Sequence, residues 1–406
     1  MLRSPQKNTP HGALVVPVLS LPALMALLLS APAQAGISDT IQPYVSAGYS
    51  YDDNLFRLPA DYPGGPVSDR SKSTMVGFSF ERPVGRQDFS GAAKVTHVTF
   101  DRFSQLNYDG KDANAMWRWA AGNDVDGTLG GNYSQVLNSF SDFHSTERNL
   151  RIQHGAYLGG GWRFLARWRL YGKVSRDEYR YDLVSQQFLN RNVDAHELSL
   201  DYEASTRSTI GLLARRLKGN YTNPLRQGAF LFDPDYTQDE LKLKLSWQYD
   251  AMTQLQFLGG RVRHTHTFLT GNDSRGTNAQ FTGNWQALPQ LKLSATLSRE
   301  FAPYEGSNFS YSLNQTRSLD ALWMLANKVQ LEATASSTRR DFTGQLLGTP
   351  LDETDHQRLS TLALTYVPRN NIQLSASVYR DRRDGAPLIS NSYHAKGAQL
   401  NAIVQF

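Results

Sequence analysis

The sequence predicts an all-β protein, a transmembrane antiparallel up-and-down β-barrel of about eighteen strands. Three observations lead there: an export signal at the amino end, a strand pattern of period two with almost no helical periodicity, and a last strand that closes on an aromatic residue.

Residues 1–35 read as the signal. Arg3 and Lys7 precede an apolar run over 13–29, and the small-residue triplet Ala33-Gln34-Ala35 closes it. Cleavage is expected before Gly36, leaving one barrel domain over 36–406. A transmembrane anchor competes for the same run, but Pro17 and Pro22 interrupt it and it is barely long enough to span.

Composition narrows the class. Mean hydropathy is −0.47, and no later apolar stretch is long enough to cross as a helix, which excludes a helical membrane bundle. Aromatic residues make up 11% with 19 tyrosines, which suits girdles at both membrane interfaces. The lack of cysteine excludes a disulfide framework, a thiolate metal site, a cysteine nucleophile and a lipidated amino end. Losing Arg3 and Lys7 with the signal lowers the formal charge from +5 to +3, too small a bias for a nucleic-acid partner.

From Ile41 onward, segments of alternating polarity are separated by turn-rich connections. The clearest is Leu241-Lys242-Leu243-Lys244-Leu245-Ser246-Trp247-Gln248-Tyr249, and 125–133, 198–204, 291–297, 329–335 and 372–378 follow it. Successive strand side chains point to opposite faces, so each segment has one apolar and one polar face. Short turns are expected near Val84-Gly85, Gly122-Asn123-Asp124, Gly159-Gly160-Gly161 and Ser205-Thr206-Arg207. Four more are expected near Asp250-Ala251-Met252, Ala287-Leu288-Pro289, Ala326-Asn327-Lys328 and Pro368-Arg369-Asn370. Eight such turns with both chain ends on their side imply nine hairpins, hence eighteen strands.

Longer polar loops are expected over 52–70, 134–147, 176–192, 218–235, 301–308 and 338–355. Short turns on one rim and long loops on the other separate a membrane barrel from a soluble sandwich. The last strand, Ala398 to Phe406, carries apolar residues at every even position and ends on the aromatic Phe406, which resembles the terminal signature of bacterial outer-membrane barrels that barrel-assembly machinery reads.

In a membrane barrel the apolar face meets outer-membrane lipid and the polar face lines the lumen. Parity then points Arg118, Arg151, Arg167, Arg169, Lys173, Arg215, Lys242, Lys244 and Lys292 inward. Glu197, Asp201, Glu203, Glu240, Asp320 and Glu332 share that face. Two readings stand: the charges pair across strands and rigidify a wet interior, or the cations form a basic track for an anionic polymer. Catalytic signals are poor. No serine or paired-carboxylate constellation assembles, no cofactor is implied, and His264 with His266 lacks a third ligand at recognisable spacing, so no metal is expected.

The run from Tyr44 to Leu58 carries Asp52-Asp53-Asn54-Leu55-Phe56-Arg57-Leu58 directly after the first strand. It resembles the opening of EpsL-type outer-membrane proteins of exopolysaccharide loci. The resemblance implies an outer-membrane barrel in exopolysaccharide biosynthesis and export, with a polysaccharide and other export components as partners. No catalytic residues come with it. Within the motif, Asp52 and Asp53 either hold a divalent cation or form a turn with solvated carboxylates. Three functions follow: a conduit for polymer, a general or solute-selective porin, and a barrel enzyme acting on lipid or polysaccharide.

Overall fold

The computed structural model describes residues 40–406, apart from 143–144, 205–206, 224–225, 228–229, 232–234, 267–272, 304–310, 347–348 and 387–388. The expected signal over 1–35 and its cleavage point at Gly36 lie outside the described residues.

The chain runs as one antiparallel meander. Its first half is β1 (Ile41–Asp52), β2 (Asp69–Val84), β3 (Gln87–Phe100), β4 (Tyr108–Ala121), β5 (Val125–Leu137), β6 (Leu150–Leu165), β7 (Trp168–Tyr181), β8 (Arg191–Glu203) and β9 (Thr209–Tyr221). A small separate pairing of β10 (Arg226–Gln227) with β11 (Phe230–Leu231) follows. The second half is β12 (Tyr236–Gln248), β13 (Thr253–His266), β14 (Ser274–Leu288), β15 (Leu291–Pro303), β16 (Tyr311–Ala326), β17 (Val329–Leu346), β18 (Thr349–Arg369), β19 (Ile372–Asp384) and β20 (Tyr393–Gln405).

β9 pairs with β12, and β20 pairs with β1 from Tyr44↔Gln405 to Asp52↔Gly397, so the 18-stranded sheet closes on itself. Closure joins the first strand to the last, so that across the membrane band each strand is paired on both sides, as a hydrocarbon surround demands. Phe406 follows β20 and donates its backbone N–H to the Pro43 carbonyl at 2.9 Å, seating the last aromatic beside the first strand.

The two faces are sorted as a membrane barrel requires. Leu241 is 59% exposed while its neighbour Lys242 is 6% exposed. The same inversion recurs at Val76, Leu158, Leu198, Leu212, Leu297 and Leu319, all outward and exposed. The seven tryptophans fall at positions 117, 119, 162, 168, 247, 285 and 323, each a few residues from a short turn. Tyr249, Tyr366 and Phe406 join this exposed aromatic girdle, which marks one membrane interface at the turn rim.

Irregularities concentrate at the turns. Register shifts fall between Arg163 and Leu165, Gln286 and Leu288, Met324 and Ala326, and Tyr366 and Arg369, all beside short hairpins. Gly85 and Gly122 hold φ of 62° and 65° in their turns, a conformation glycine adopts without side-chain strain. The expected turn at Gly159-Gly160-Gly161 is instead strand interior: β6 runs on to Leu165, and the chain reverses at Ala166-Arg167. Inward-facing Gly159 and Gly161 make room for the side chains of Tyr171 and Arg169 on β7, so these glycines serve packing. The expected loop over 338–355 is largely strand, because β17 and β18 extend to 18 and 21 residues and pair to Leu346↔Thr349. Of the turn at Ser205-Thr206-Arg207, the first two residues lie outside the described residues.

Candidate functional site

The lumen contains two charge systems. The first lies on the wall from β5 to β14, where alternation alone aims polar side chains inward. Glu240 on β12 accepts from Arg215 Nε at 2.6 Å, Lys242 Nζ at 2.8 Å, Gln238 Nε2 at 2.9 Å and Asn278 Nδ2 at 2.9 Å. Arg215 also faces Glu197 at 3.8 Å, and Lys244 donates to Asp201 at 2.7 Å. Arg169 pairs with Asp126 at 2.6 Å and Arg163 with Glu203 at 2.9 Å. Arg163 is absent from the expected set, since the misplaced turn hid its strand position.

The remaining expected cations are more scattered. Arg118 stands 3.9 Å from Asp88 near the turn rim, and Lys173 lies over the Tyr157 ring at 5.4 Å. Arg151 and Lys292 have inward parity, Arg151 on β6 and Lys292 on β15. Arg167 is a correction: it lies in the turn between β6 and β7 and donates to the Tyr202 hydroxyl at 3.2 Å. Five of the nine cations therefore face carboxylates, which neutralises much of the proposed basic track. His264 and His266 do share the inward face of β13, with ring centroids 5.0 Å apart. His264 is stacked on Tyr236 and hydrogen-bonded through Nδ1 to Gln238. Among the described residues no group of three or more His, Cys, Asp or Glu is placed to hold a metal ion.

The second system lies at the loop-side mouth, and parity could not have found it. Asp142 belongs to the β5–β6 connection, yet it meets Arg340 of β17 at 3.1 Å and Arg383 of β19 at 2.9 Å. β5–β6 and β17–β19 are separated in the ring by eight strands one way and five the other, so this arm crosses the lumen. Arg383 also donates to the Ser141 carbonyl at 2.6 Å. Asp355, directly opposite Arg340 in the β17–β18 register, accepts from Arg340 at 2.5 Å and from Ser390 at 2.8 Å. Arg383 is 1% exposed and Asp355 fully buried, so the receiving side of the docking point is shielded from water, while Asp142 itself is half-buried. Burial works to raise the Asp142 pKa, but the guanidinium groups of Arg340 and Arg383 outweigh it and hold the carboxyl below its usual range.

The motif 52–58 anchors the same mouth. Asn54 closes its loop by accepting from the Leu58 N–H at 2.9 Å and donating to the Leu58 carbonyl at 2.8 Å. Asp52 accepts from Arg57 at 2.8 Å and from the Tyr379 hydroxyl at 2.5 Å, while Asp53 accepts from the Lys396 N–H at 2.6 Å. Both carboxylates thus serve the turn and its neighbours. Arg57, at a left-handed φ of 55°, also reaches Asp381 at 3.5 Å. Burial disfavours its charge, but Asp52, with Tyr379 and Asp381, raises its pKa overall.

Phe56 and Leu58 then pack with Val98, Phe100, Leu106 and Phe140, fusing three mouth loops into a small apolar core. Full burial of each such side chain is worth about 1.5 to 3 kcal/mol, enough to hold loops that have no ladder of their own. Asp69 adds polar fastening by accepting from the N–H groups of Arg102 and Phe103 at 3.0 and 3.1 Å. Phe140 and Asp142 lie two residues apart, so the apolar core launches the arm that the arginines receive.

Solved structures share this architecture. OccK1 (OpdK) of Pseudomonas aeruginosa matches at 11% identity over 91% of this chain and 99% of its own, with a TM-score of 0.50. OccK2 (OpdF) of the same organism matches at 11% identity over 90% and 98%, also at 0.50. No family model and no curated protein matches the chain. The closed strand order, the inverted faces and these shared folds establish an 18-stranded antiparallel β-barrel of the outer membrane.

Proposed function

We propose that the chain is a solute-selective pore of the outer membrane, narrowed by the arm that carries Asp142. The observation behind this reading is the ion-paired crossing from the β5–β6 connection to Arg340 and Arg383. An arm fastened across a polar lumen narrows the path to the scale of small hydrophilic solutes, and a wall of paired charges offers such solutes weak contacts that release as readily as they form. No group in the site performs covalent chemistry in this reading. Purified, heat-modifiable protein in a planar bilayer should give discrete conductance steps, and liposomes containing it should swell with small sugars and exclude large ones. Folded protein that neither conducts nor admits sugars rules the reading out.

A second reading is supported by the resemblance of Asp52 to Leu58 to EpsL-type proteins: a conduit for exopolysaccharide, working with other export components. The arm would then need to undock for a polymer to pass. Loss of surface polysaccharide in a deletion strain, restored by the complementing gene, distinguishes this reading from the first. Either reading carries the same delivery: export by residues 1–35, cleavage before Gly36, and recognition of Phe406 by barrel-assembly machinery.

A further inference from the structure

The outer surface of the barrel carries a groove that neither reading uses. It spans β8, β9, β12, β13 and β14 and encloses about 950 Å³. Its lower wall is apolar: Leu198, Ala214 and Leu241 are cross-strand neighbours on the lipid face. Arg261 continues that rung, and the next rung toward the loops runs His196, Arg216, Asp239, Arg263, Arg275. All four arginines are exposed.

Their charges do not cancel. Asp239 is taken by Arg216 through two bonds of 2.6 and 3.0 Å. Among the described residues, the side chains of Arg261, Arg263 and Arg275 make no hydrogen bond and no ion pair; Arg263 stands between Asp239, already held by Arg216, and Arg275 in the register. Like charges placed opposite each other on one sheet face destabilise the pair unless an anion lies between them.

Height places the arginines. Trp285 of the turn-rim girdle and Arg275 share the outward face of β14, ten residues apart. At about 3.4 Å per residue and a tilt near 40°, that separation rises about 25 Å, the height of a barrel's apolar band. The arginines therefore sit at the outer interface, above greasy wall.

We propose that this groove binds a phosphate-bearing glycolipid of the outer leaflet, its phosphates on Arg261, Arg263 and Arg275 and its acyl chains along Leu198, Ala214 and Leu241. Guanidinium groups suit phosphate oxygens because their forked donors match them in pairs. The apolar wall beneath selects a lipid over a free anion.

The test compares wild-type protein with the triple variant Arg261→Gln, Arg263→Gln, Arg275→Gln. A second triple variant, Arg86→Gln, Lys328→Gln, Arg369→Gln, removes equal charge at the turn rim. Bisphosphorylated lipid A, the same lipid without phosphates, and inorganic phosphate are the probes, read by native mass spectrometry from detergent, with heat-modifiable mobility confirming folding. The expected result is at least tenfold weaker binding of bisphosphorylated lipid by the groove variant alone, no difference between proteins for the dephosphorylated lipid, and no displacement by millimolar phosphate. Equal binding by the groove variant, or equal affinity of wild type for the dephosphorylated lipid, overturns the proposal. Full displacement by inorganic phosphate also overturns it, by making the site a free-anion site.

Discussion

The Glu240 cluster and the Asp142 cluster are both lumen ion-pair systems, but they are built over different distances. Glu240 takes its partners from the same or nearby strands, where ladder register brings the side chains together. Asp142 takes partners 198 and 241 residues away, across the lumen. The wall cluster stiffens a surface that closure already defines, whereas the mouth cluster decides how wide the path is. Removing a wall partner should therefore cost stability and leave the pore alone. Removing a mouth partner should change the pore.

The largest effect is expected at Arg383. Arg383→Ala leaves the buried Asp355 and the half-buried Asp142 with one guanidinium fewer between them, and breaking a buried pair costs about 3 to 5 kcal/mol. Undocking of the arm should raise single-channel conductance several-fold, with a matching drop in unfolding free energy measured in vesicles. Unchanged conductance in the folded variant would show that the arm does not set the path.

A second expectation concerns pH. Arg340 and Arg383 hold the Asp142 pKa below its usual value, so the docked state binds this proton more weakly than the free arm does. Docking is then complete above the free carboxyl's pKa of about 4 and is lost as pH falls below it toward the depressed docked value. Conductance should stay flat from neutral pH to about 4 and rise in stronger acid. Asp142→Asn, which gives up charged hydrogen bonds worth about 1.5 to 3 kcal/mol, should abolish that step and conduct at neutral pH as the wild type does in acid.

The wall should respond in stability and not in conductance. Glu240→Gln keeps the shape of the hub and Glu197 still faces Arg215, but Lys242 is left buried without its carboxylate, so a loss of about 3 to 5 kcal/mol is expected by denaturant titration. Its conductance should match the wild type, and a changed step size would erase the contrast between wall and mouth. Arg169→Gln should be smallest, about 0.2 to 1 kcal/mol, because water reaches both Arg169 and Asp126. A larger loss would mean that this rim pair carries structural weight.

These differences track how each feature could be read beforehand. Inward placement of Lys242 and Lys244 follows from alternation with Leu241 and Leu243, because strand geometry sends neighbours to opposite faces whatever the rest of the chain does. Arg167 failed this test, since three glycines read as a turn where the strand needed space for Tyr171 and Arg169, while the real turn carries neither glycine nor proline. Arg340 and Asp355 fell within an expected loop because the β17–β18 hairpin extends well beyond the girdle-bounded band. Asp142 left no signal at all, being one acid in a polar connection.

Strand count, closure and the sorting of faces were thus determined by the sequence alone, because period-two alternation and turn chemistry are local properties that each hairpin expresses independently. The narrowing of the lumen, the use of the 52–58 motif as a mouth fastener and the gathering of Arg261, Arg263 and Arg275 into one outer groove were decided only by the tertiary structure. Each depends on barrel closure, which fixes how strands far apart in the chain are offset and so which loops and rungs come within reach of one another.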